Sequence, residues 1–148
     1  MGTQIGWIGL GVISALAAAG VTIFGRIGLE GIDSTLATTL RSIIMAFTMV
    51  MVSLSSGRLQ GLWQGNTQIS GRAWLFILLS GGAGAASWLA YFSALKIGPP
   101  GAVAALDRLS IVFILVFATL LLGEQHSWRG WLGLVLLVAG VYLIAGDK

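Results

Sequence analysis

Apolar residues fall in long unbroken runs along this chain, and most polar residues lie in the short stretches between the runs. A helix needs about 20 apolar residues to cross the hydrocarbon core of a bilayer. Strands of a membrane barrel would alternate apolar and polar residues over segments of about ten residues, and runs such as Ile111–Leu122 do not alternate. The pattern therefore predicts an all-α integral membrane protein with five transmembrane helices, at Ile5–Phe24, Ser34–Leu54, Ala73–Leu95, Gly101–Leu122 and Ser127–Gly146.

Several residues mark where these helices begin. Asp33-Ser34 can cap the second helix, Pro99-Pro100 can open the fourth, and Ser127 can cap the fifth. The first run has no basic residue before it, since the first one in the chain is Arg26. A cleaved signal peptide would carry positive charge ahead of its apolar run, so we expect the first run to remain as a helix.

The composition agrees with this pattern and excludes several classes of protein. Hydrophobic residues make up 57% of the 148 residues and charged residues only 9%, whereas soluble domains carry about 25% charged residues. The chain has no cysteine and a single histidine, His126, so thiolate and histidine metal sites are excluded. We expect one domain over residues 1–148, with a polar surface link at Ser55–Arg72.

Two further classes of function lack the residues they need. The six arginines are scattered singly rather than in a basic stripe, so no nucleic-acid partner is expected. No carboxylate pair suits hydrolysis and no phosphate-binding glycine loop is present. We therefore expect no enzymatic activity, no catalytic residues, no metal and no cofactor.

The basic residues of the connections are evenly divided between the two sides of the membrane. If side A is the side of the N-terminus, it holds Arg58, Arg72 and Arg129, and side B holds an equal number, namely Arg26, Lys96 and Lys148. Lysine and arginine bias in short loops sets the orientation of a membrane protein. Because no bias exists here, the chain is predicted to insert in both orientations, a dual topology. The alternative is one orientation set by other signals.

Three charged residues are predicted to lie at membrane depth, where charges are costly and usually face a cavity or one another. Arg41 follows Ser34 by seven residues, about 10 Å along a helix, and Asp107 and Arg108 lie about as far into the fourth helix. Both helices enter from side B. The three side chains could therefore form an Arg–Asp–Arg cluster.

This cluster has two interpretations that the residues leave open. It could be a substrate or proton site facing a cavity, with Asp107 as the candidate for proton coupling, because it is the only acidic residue away from the helix ends. It could instead be a network that pins helices together. Arg108 has a third possibility, since its long side chain could reach toward side B.

Small and hydroxylated residues share one face of the third helix. Ser80, Gly84, Ser87 and Tyr91 are spaced by four, three and four residues, and Trp88 lies beside them. Ser87, Trp88 and Tyr91 could line a polar cavity. The alternative is close packing, since the neighbouring glycines and alanines let helix backbones approach.

An ordered set of segments runs through the predicted helices, namely Gly31–Ser42 in the second helix, Trp88–Leu95 in the third, Ala105–Phe113 and Leu122–Glu124 in the fourth, and Gly140–Leu143 in the fifth. In this set, and over residues 5–146, the chain resembles one repeat of the EamA family of drug/metabolite transporters. Many family repeats have a proline where Ser110 stands here, and the run Asp107–Ser110 is similar to the short five-helix bacterial and archaeal branch.

The resemblance implies an architecture and a set of cavity residues. EamA proteins commonly have ten helices in two inverted repeats, so a chain with one repeat is expected to pair as an antiparallel homodimer. The family's substrate pathway is built largely from the first, third and fourth helices of each repeat. By resemblance this favours Ser14, Ser87, Trp88, Tyr91 and Asp107 as lining residues.

Together these observations predict a multi-pass protein of the cell (inner or plasma) membrane that works as a secondary transporter. It would export or exchange small organic solutes, such as metabolites, amino acids or drugs, by alternating access at the homodimer interface. Its partners would be the solute, membrane lipids and a second copy. The alternatives are a passive facilitator, a non-transporting accessory or assembly protein, and a component of a flippase for lipid-linked sugars.

Overall fold

The computed structural model describes residues 2–65 and 68–147, and over these residues the regular structure is entirely helical. Five stretches are long and apolar enough to cross a membrane, which confirms the predicted number of spans. In chain order the helices are α1 (Gly2–Gly28), α2 (Ser34–Ser55), α3 (Arg58–Trp63), α4 (Gly71–Ile97), α5 (Pro100–Asp107), α6 (Ser110–Leu122) and α7 (Trp128–Gly146).

The boundaries of these helices follow local backbone chemistry. The Asp33 carboxylate caps α2 by accepting hydrogen bonds from the backbone N–H groups of Thr35 and Leu36, as predicted. Pro100 is the first residue of α5, where its missing N–H leaves no helical hydrogen bond unmade. Ser127 occupies the N-cap of α7, but its side chain makes no capping hydrogen bond.

The fourth span differs from the prediction of one continuous helix, because it is interrupted at Arg108 and Leu109. The N–H groups of these residues donate to carbonyls three residues back, Ala105 and Leu106, at 3.0 Å each. Ile111 and Val112 repeat this shorter spacing at the start of α6. The backbone is therefore tightened from α-helical to 3₁₀ geometry for about one turn, in a stretch that contains neither proline nor glycine.

The predicted surface link also differs from expectation, because it contains α3. This short helix begins after Gly57, whose φ of +71° favours glycine. The sequence does not predict this helix, although it contains the apolar residues Leu59 and Leu62, because six residues are too few to show a periodic hydrophobic pattern.

The chain divides into two compact units, and the first comprises Met1–Ile27 and Ala94–Lys148. Within this unit α5 packs against α7. The buried apolar residues of the unit are Leu95, Val103, Ala105, Ala118 and Val141. The Arg26 guanidinium, at the end of α1, donates hydrogen bonds to the carbonyls of Leu95 and Lys96 and so closes the last turn of α4.

The second unit, Gly28–Ser93, comprises α2, α3 and most of α4. Its buried residues are Leu29, Thr38 and Phe92. The hydroxyl groups of Ser34 on α2 and Ser93 on α4 are hydrogen-bonded at 3.3 Å. The expectation of a single domain over the whole chain stays a prediction.

Most large apolar side chains of the described residues are exposed to the surroundings, including Leu16, Leu121 and Tyr142 at 70% or more. A soluble monomer rarely exposes apolar surface on this scale, whereas lipid tails accept it. Several hydroxyl groups within the spans bond to their own helix, as when Thr48 donates to the Ile44 carbonyl at 2.8 Å. These features are those of a multi-pass membrane protein.

Candidate functional site

The most unusual side chain of the second unit is Arg41, which lies seven residues into α2 and is half-buried. Its guanidinium carbon is 4.2 Å from the ring centroid of Trp88 and 4.1 Å from that of Phe92. A cation over an aromatic face is attracted by the negative potential of the ring. The two rings therefore hold a positive charge at membrane depth.

The sequence of α4 explains why two rings are available. Trp88 and Phe92 are four residues apart, so both side chains lie on one face of the helix. Phe92 is 2% exposed, and the ring of Tyr91 meets it edge-on at 5.4 Å between centroids. Packing around Phe92 thus fixes the ring on which the guanidinium lies.

The guanidinium of Arg41 has a stabilising contact for its charge but not for all of its hydrogen-bond donors. A desolvated cation–π contact contributes about 2 kcal/mol, which offsets part of the cost of carrying a charge at this depth. The Nε and Nη2 atoms of Arg41, however, are buried and have no hydrogen-bond partner within the described residues. A buried donor without a partner costs about 1–3 kcal/mol. The two rings therefore stabilise the charge of Arg41, whereas its Nε and Nη2 donors make no hydrogen bond within the described residues.

Hydroxyl groups close to Arg41 in the chain are engaged elsewhere. Thr38, which is 5% exposed, donates to the Ser34 carbonyl at 2.7 Å, and Ser42 donates to the Thr38 carbonyl at 2.8 Å. These bonds fold the hydroxyls back onto α2. The polar residues of the same helix therefore leave the arginine donors unsatisfied.

The structure brings together some of the residues predicted for the site. Arg41 meets Trp88 directly, and Tyr91 joins them through its contact with Phe92. Ser87 is exposed on α4. Whether Ser87, Trp88 and Tyr91 line a solute pathway stays a prediction.

The remaining predicted residues belong to the first unit. Ser14 is exposed on α1, Asp107 is the exposed last residue of α5, and Arg108 is its exposed C-cap. The last two thus lie at the interruption of the fourth span. The Arg–Asp–Arg cluster and the role of Asp107 in proton coupling stay predictions.

Phe92 was not among the predicted site residues, although it contacts the guanidinium as closely as Trp88 does. The spacing of Trp88 and Phe92, with an arginine at membrane depth on another helix, is the signal that could have identified it. In the described part of the chain, no group of three histidine, cysteine, aspartate or glutamate side chains lies close enough together to hold a metal ion.

Comparison with known proteins gives a consistent result. The model of the EamA-like transporter family matches residues 5–146. A protein of Sinorhizobium sp, named "Uncharacterized transporter in cobO 3'region", is 40% identical over 139 residues, which cover 94% of this chain and 96% of that protein. No solved structure matches. The family match and the relative's name point to a transporter rather than an enzyme.

Proposed function

Because the chain belongs to the EamA-like transporter family, we propose that it is a secondary transporter that exports or exchanges small organic solutes, such as metabolites, amino acids or drugs. The observation that carries this proposal is Arg41, a charge at membrane depth whose buried Nε and Nη2 donors have no hydrogen-bond partner among the described residues. A residue that only pinned helices together would be expected to use those donors on protein groups. Charged groups inside a membrane protein commonly mark the pathway of a solute.

The functional unit in this proposal is an antiparallel homodimer. The described residues provide five stretches that can cross a membrane, and the match covers 96% of the relative, which therefore has nearly the same length as this chain. Evenly divided loop charges allow copies to insert in opposite directions. Two inverted copies rebuild the arrangement that transporters use for alternating access, with one central pathway between them.

The proposed location is the cell (inner or plasma) membrane, and the proposed coupling group is Asp107. A carboxylate at the interruption of a span can gain and lose a proton as the pathway opens to either side. The solute and the proton would then use the pathway in turn. Arg41, Ser87, Trp88 and Tyr91 would line the pathway, together with Ser14 and Arg108.

The test is transport by the purified chain in proteoliposomes. Vesicles with an imposed pH gradient are assayed for uptake of a panel of labelled amino acids, organic acids and organic amines, and for exchange of each compound without a gradient. Saturable movement of at least one compound is expected. A chain that moves none of them, in both orientations of the gradient, would contradict the transport proposal and favour an accessory protein.

The coupling role is tested with Asp107→Asn. We expect this variant to lose uptake driven by the pH gradient and to keep exchange, because exchange needs no net proton movement. The matched control is Asp147→Asn, which makes the same chemical change at the exposed C-cap of α7 and should alter neither assay. Gradient-driven uptake that survives in Asp107→Asn would show that another group couples, or that the protein is a passive facilitator.

A further inference from the structure

The shape of the Arg41 guanidinium shows which part of it lacks a hydrogen-bond partner. The group is planar, and its central carbon lies 4.2 Å from the ring centroid of Trp88 and 4.1 Å from that of Phe92. These contacts supply no oxygen acceptor to the N–H bonds, which point outward within the guanidinium plane. The N–H donors of Arg41 that can still form hydrogen bonds therefore lie along the edge of the guanidinium plane.

The two donors without partners lie on the same edge. Nε and Nη2 are adjacent in the guanidinium, and their N–H bonds point in parallel from the side away from Cδ. Two parallel donors at this spacing match the two oxygens of a carboxylate, which accepts them as a bidentate pair. Both atoms are buried, so an anion on this edge would be withdrawn from water.

We infer that this edge of Arg41 is the binding site for the carboxylate of an organic anion. The inference deepens the proposed function and rests on it, since the bound anion is taken to be the solute that is carried. Charge balance favours a carboxylate over a phosphate dianion. One negative charge neutralises one guanidinium, whereas a dianion would leave an unpaired charge at membrane depth.

The aromatic rings have a defined part in this site. By holding the guanidinium carbon close to their rings, Trp88 and Phe92 restrict the side chain before the anion arrives, so less conformational freedom is lost on binding. A lysine at this position would keep the charge but lose the fork of parallel donors. The site therefore depends on arginine chemistry and not only on a positive charge.

The test is a binding titration of the full-length chain in detergent micelles. The probe is sodium benzoate, and benzamide serves as a neutral analogue of the same shape. Tryptophan emission is the readout, because Trp88 touches the guanidinium. The variants are Arg41→Gln and Arg41→Lys, each checked for folding by circular dichroism and size-exclusion chromatography.

Arg72→Gln is the matched control. Arg72 is near the start of α4, with its guanidinium carbon 5.9 Å from the ring of Phe76, so the control removes another arginine close to an aromatic ring. We expect saturable benzoate binding in the natural chain and in Arg72→Gln. Binding should weaken by about 10–100-fold in Arg41→Gln, with Arg41→Lys intermediate. Benzamide should give no saturable change.

Several results would overturn the inference. These are no saturable response of the natural chain to benzoate, an equal response to benzamide, or binding in Arg41→Gln within about twofold of the natural chain. If Arg41→Gln does not fold, an affinity of Arg41→Lys for benzoate equal to that of the natural chain would overturn the inference instead. Recovery of lost stability in the double variant Arg41→Gln/Asp107→Asn would show that Asp107, not a solute, is the partner of Arg41.

The titration needs no transport, so the two proposals fail separately. If the chain binds benzoate through Arg41 but moves no solute in vesicles, the anion site is supported and the transport proposal is contradicted. If the chain carries only amines and does not bind benzoate, the transport proposal is supported and the anion site is contradicted.

Discussion

Single side chains determine how α2 begins and what it carries. The Asp33 carboxylate accepts hydrogen bonds from the N–H groups of Thr35 at 2.9 Å and Leu36 at 3.1 Å. Gly31, with a φ of +72°, turns the chain just before this cap. About two turns beyond the first residue of the helix, Arg41 presents its charge to two rings. The cap sets where α2 starts and therefore how deep Arg41 lies.

Removing the cap should destabilise the protein by a modest amount. We expect Asp33→Ala to lower the free energy of unfolding by about 1 kcal/mol, because two backbone donors lose their acceptor. Asp33→Asn keeps an acceptor oxygen and should change stability little. Equilibrium unfolding in a sodium dodecyl sulfate titration, followed by circular dichroism, measures both. Equal losses in the two variants would mean that the charge, rather than the cap, matters.

At this scale the sequence predicts the unusual residue but not its surroundings. Arg41 can be recognised in the sequence because a charge within an apolar run is costly and usually has a role. The Asp33 cap follows from residue type and position alone. That Phe92 and Trp88 share the guanidinium depends on the packing of α4 against α2, which no spacing along one helix specifies.

The turn between α4 and α5 shows how tightly two elements can be joined. A Cβ atom added at Gly98 would lie 3.0 Å from Cγ2 of Val103 and 3.2 Å from the Ala94 carbonyl oxygen. Both contacts are closer than ordinary van der Waals contact, so Val103 and the backbone of the turn would have to shift by a few tenths of an ångström. Glycine is therefore favoured here for space, since its φ is not in the left-handed region.

We expect Gly98→Ala to destabilise the chain by about 1–3 kcal/mol through this overpacking. Gly101→Ala is the matched control, because a Cβ there meets nothing within 4 Å and alanine favours a helix. Thermal unfolding in detergent, followed by circular dichroism, compares the two. A Gly98→Ala variant as stable as Gly101→Ala would contradict the tight turn.

The interruption of the fourth span should be visible in amide exchange. Shorter hydrogen bonds of 3₁₀ type have poorer geometry and open more readily than α-helical ones. We expect the amides of residues 108–112 to exchange faster with deuterium than those of residues 84–92 in α4, measured by mass spectrometry in detergent. Uniform protection across both stretches would mean that the span behaves as one continuous helix.

Element by element, periodicity predicts the spans well and their irregularities poorly. The run Gly101–Leu122 contains no proline and no internal glycine, so nothing in it signals a break at Arg108. In the sequence, the charged pair Asp107-Arg108 indicates a candidate site but no change in backbone geometry. Tightening of the backbone there is a property of the folded chain, and α3 was too short for any pattern to reveal.

For the whole molecule, the even division of basic residues has a consequence that can be measured. The chain has no natural cysteine, so single cysteines at Gly2 and Lys148 can be labelled separately in intact cells. We expect each to be labelled from both sides of the membrane. Removing the basic residues of side A in Arg58→Gln/Arg72→Gln/Arg129→Gln should give one orientation, with side B in the cytoplasm.

The converse variant is Lys96→Gln/Lys148→Gln, which should favour the opposite orientation. Arg26 is retained in it, because its guanidinium holds carbonyls at the end of α4. Each single-orientation variant should be inactive alone, and activity should return when both are produced together. Full activity of either variant alone would contradict the antiparallel dimer.

The break at Arg108 also bears on how a charged pair can enter the membrane at all. Each helix has a macrodipole, with partial positive charge at its N-terminus and partial negative charge at its C-terminus. Because the span is divided, the negative end of α5 lies at Arg108 and the positive end of α6 begins at Ser110, just beyond Asp107. Each end contributes about 0.3–1 kcal/mol with a side chain of the opposite sign and costs a similar amount with one of the same sign. Asp107 and Arg108 each lie beside both ends, so these terms nearly cancel. The division of the span therefore does not by itself lower the cost of inserting the charged pair, and that cost has to be offset by other contacts of the two side chains.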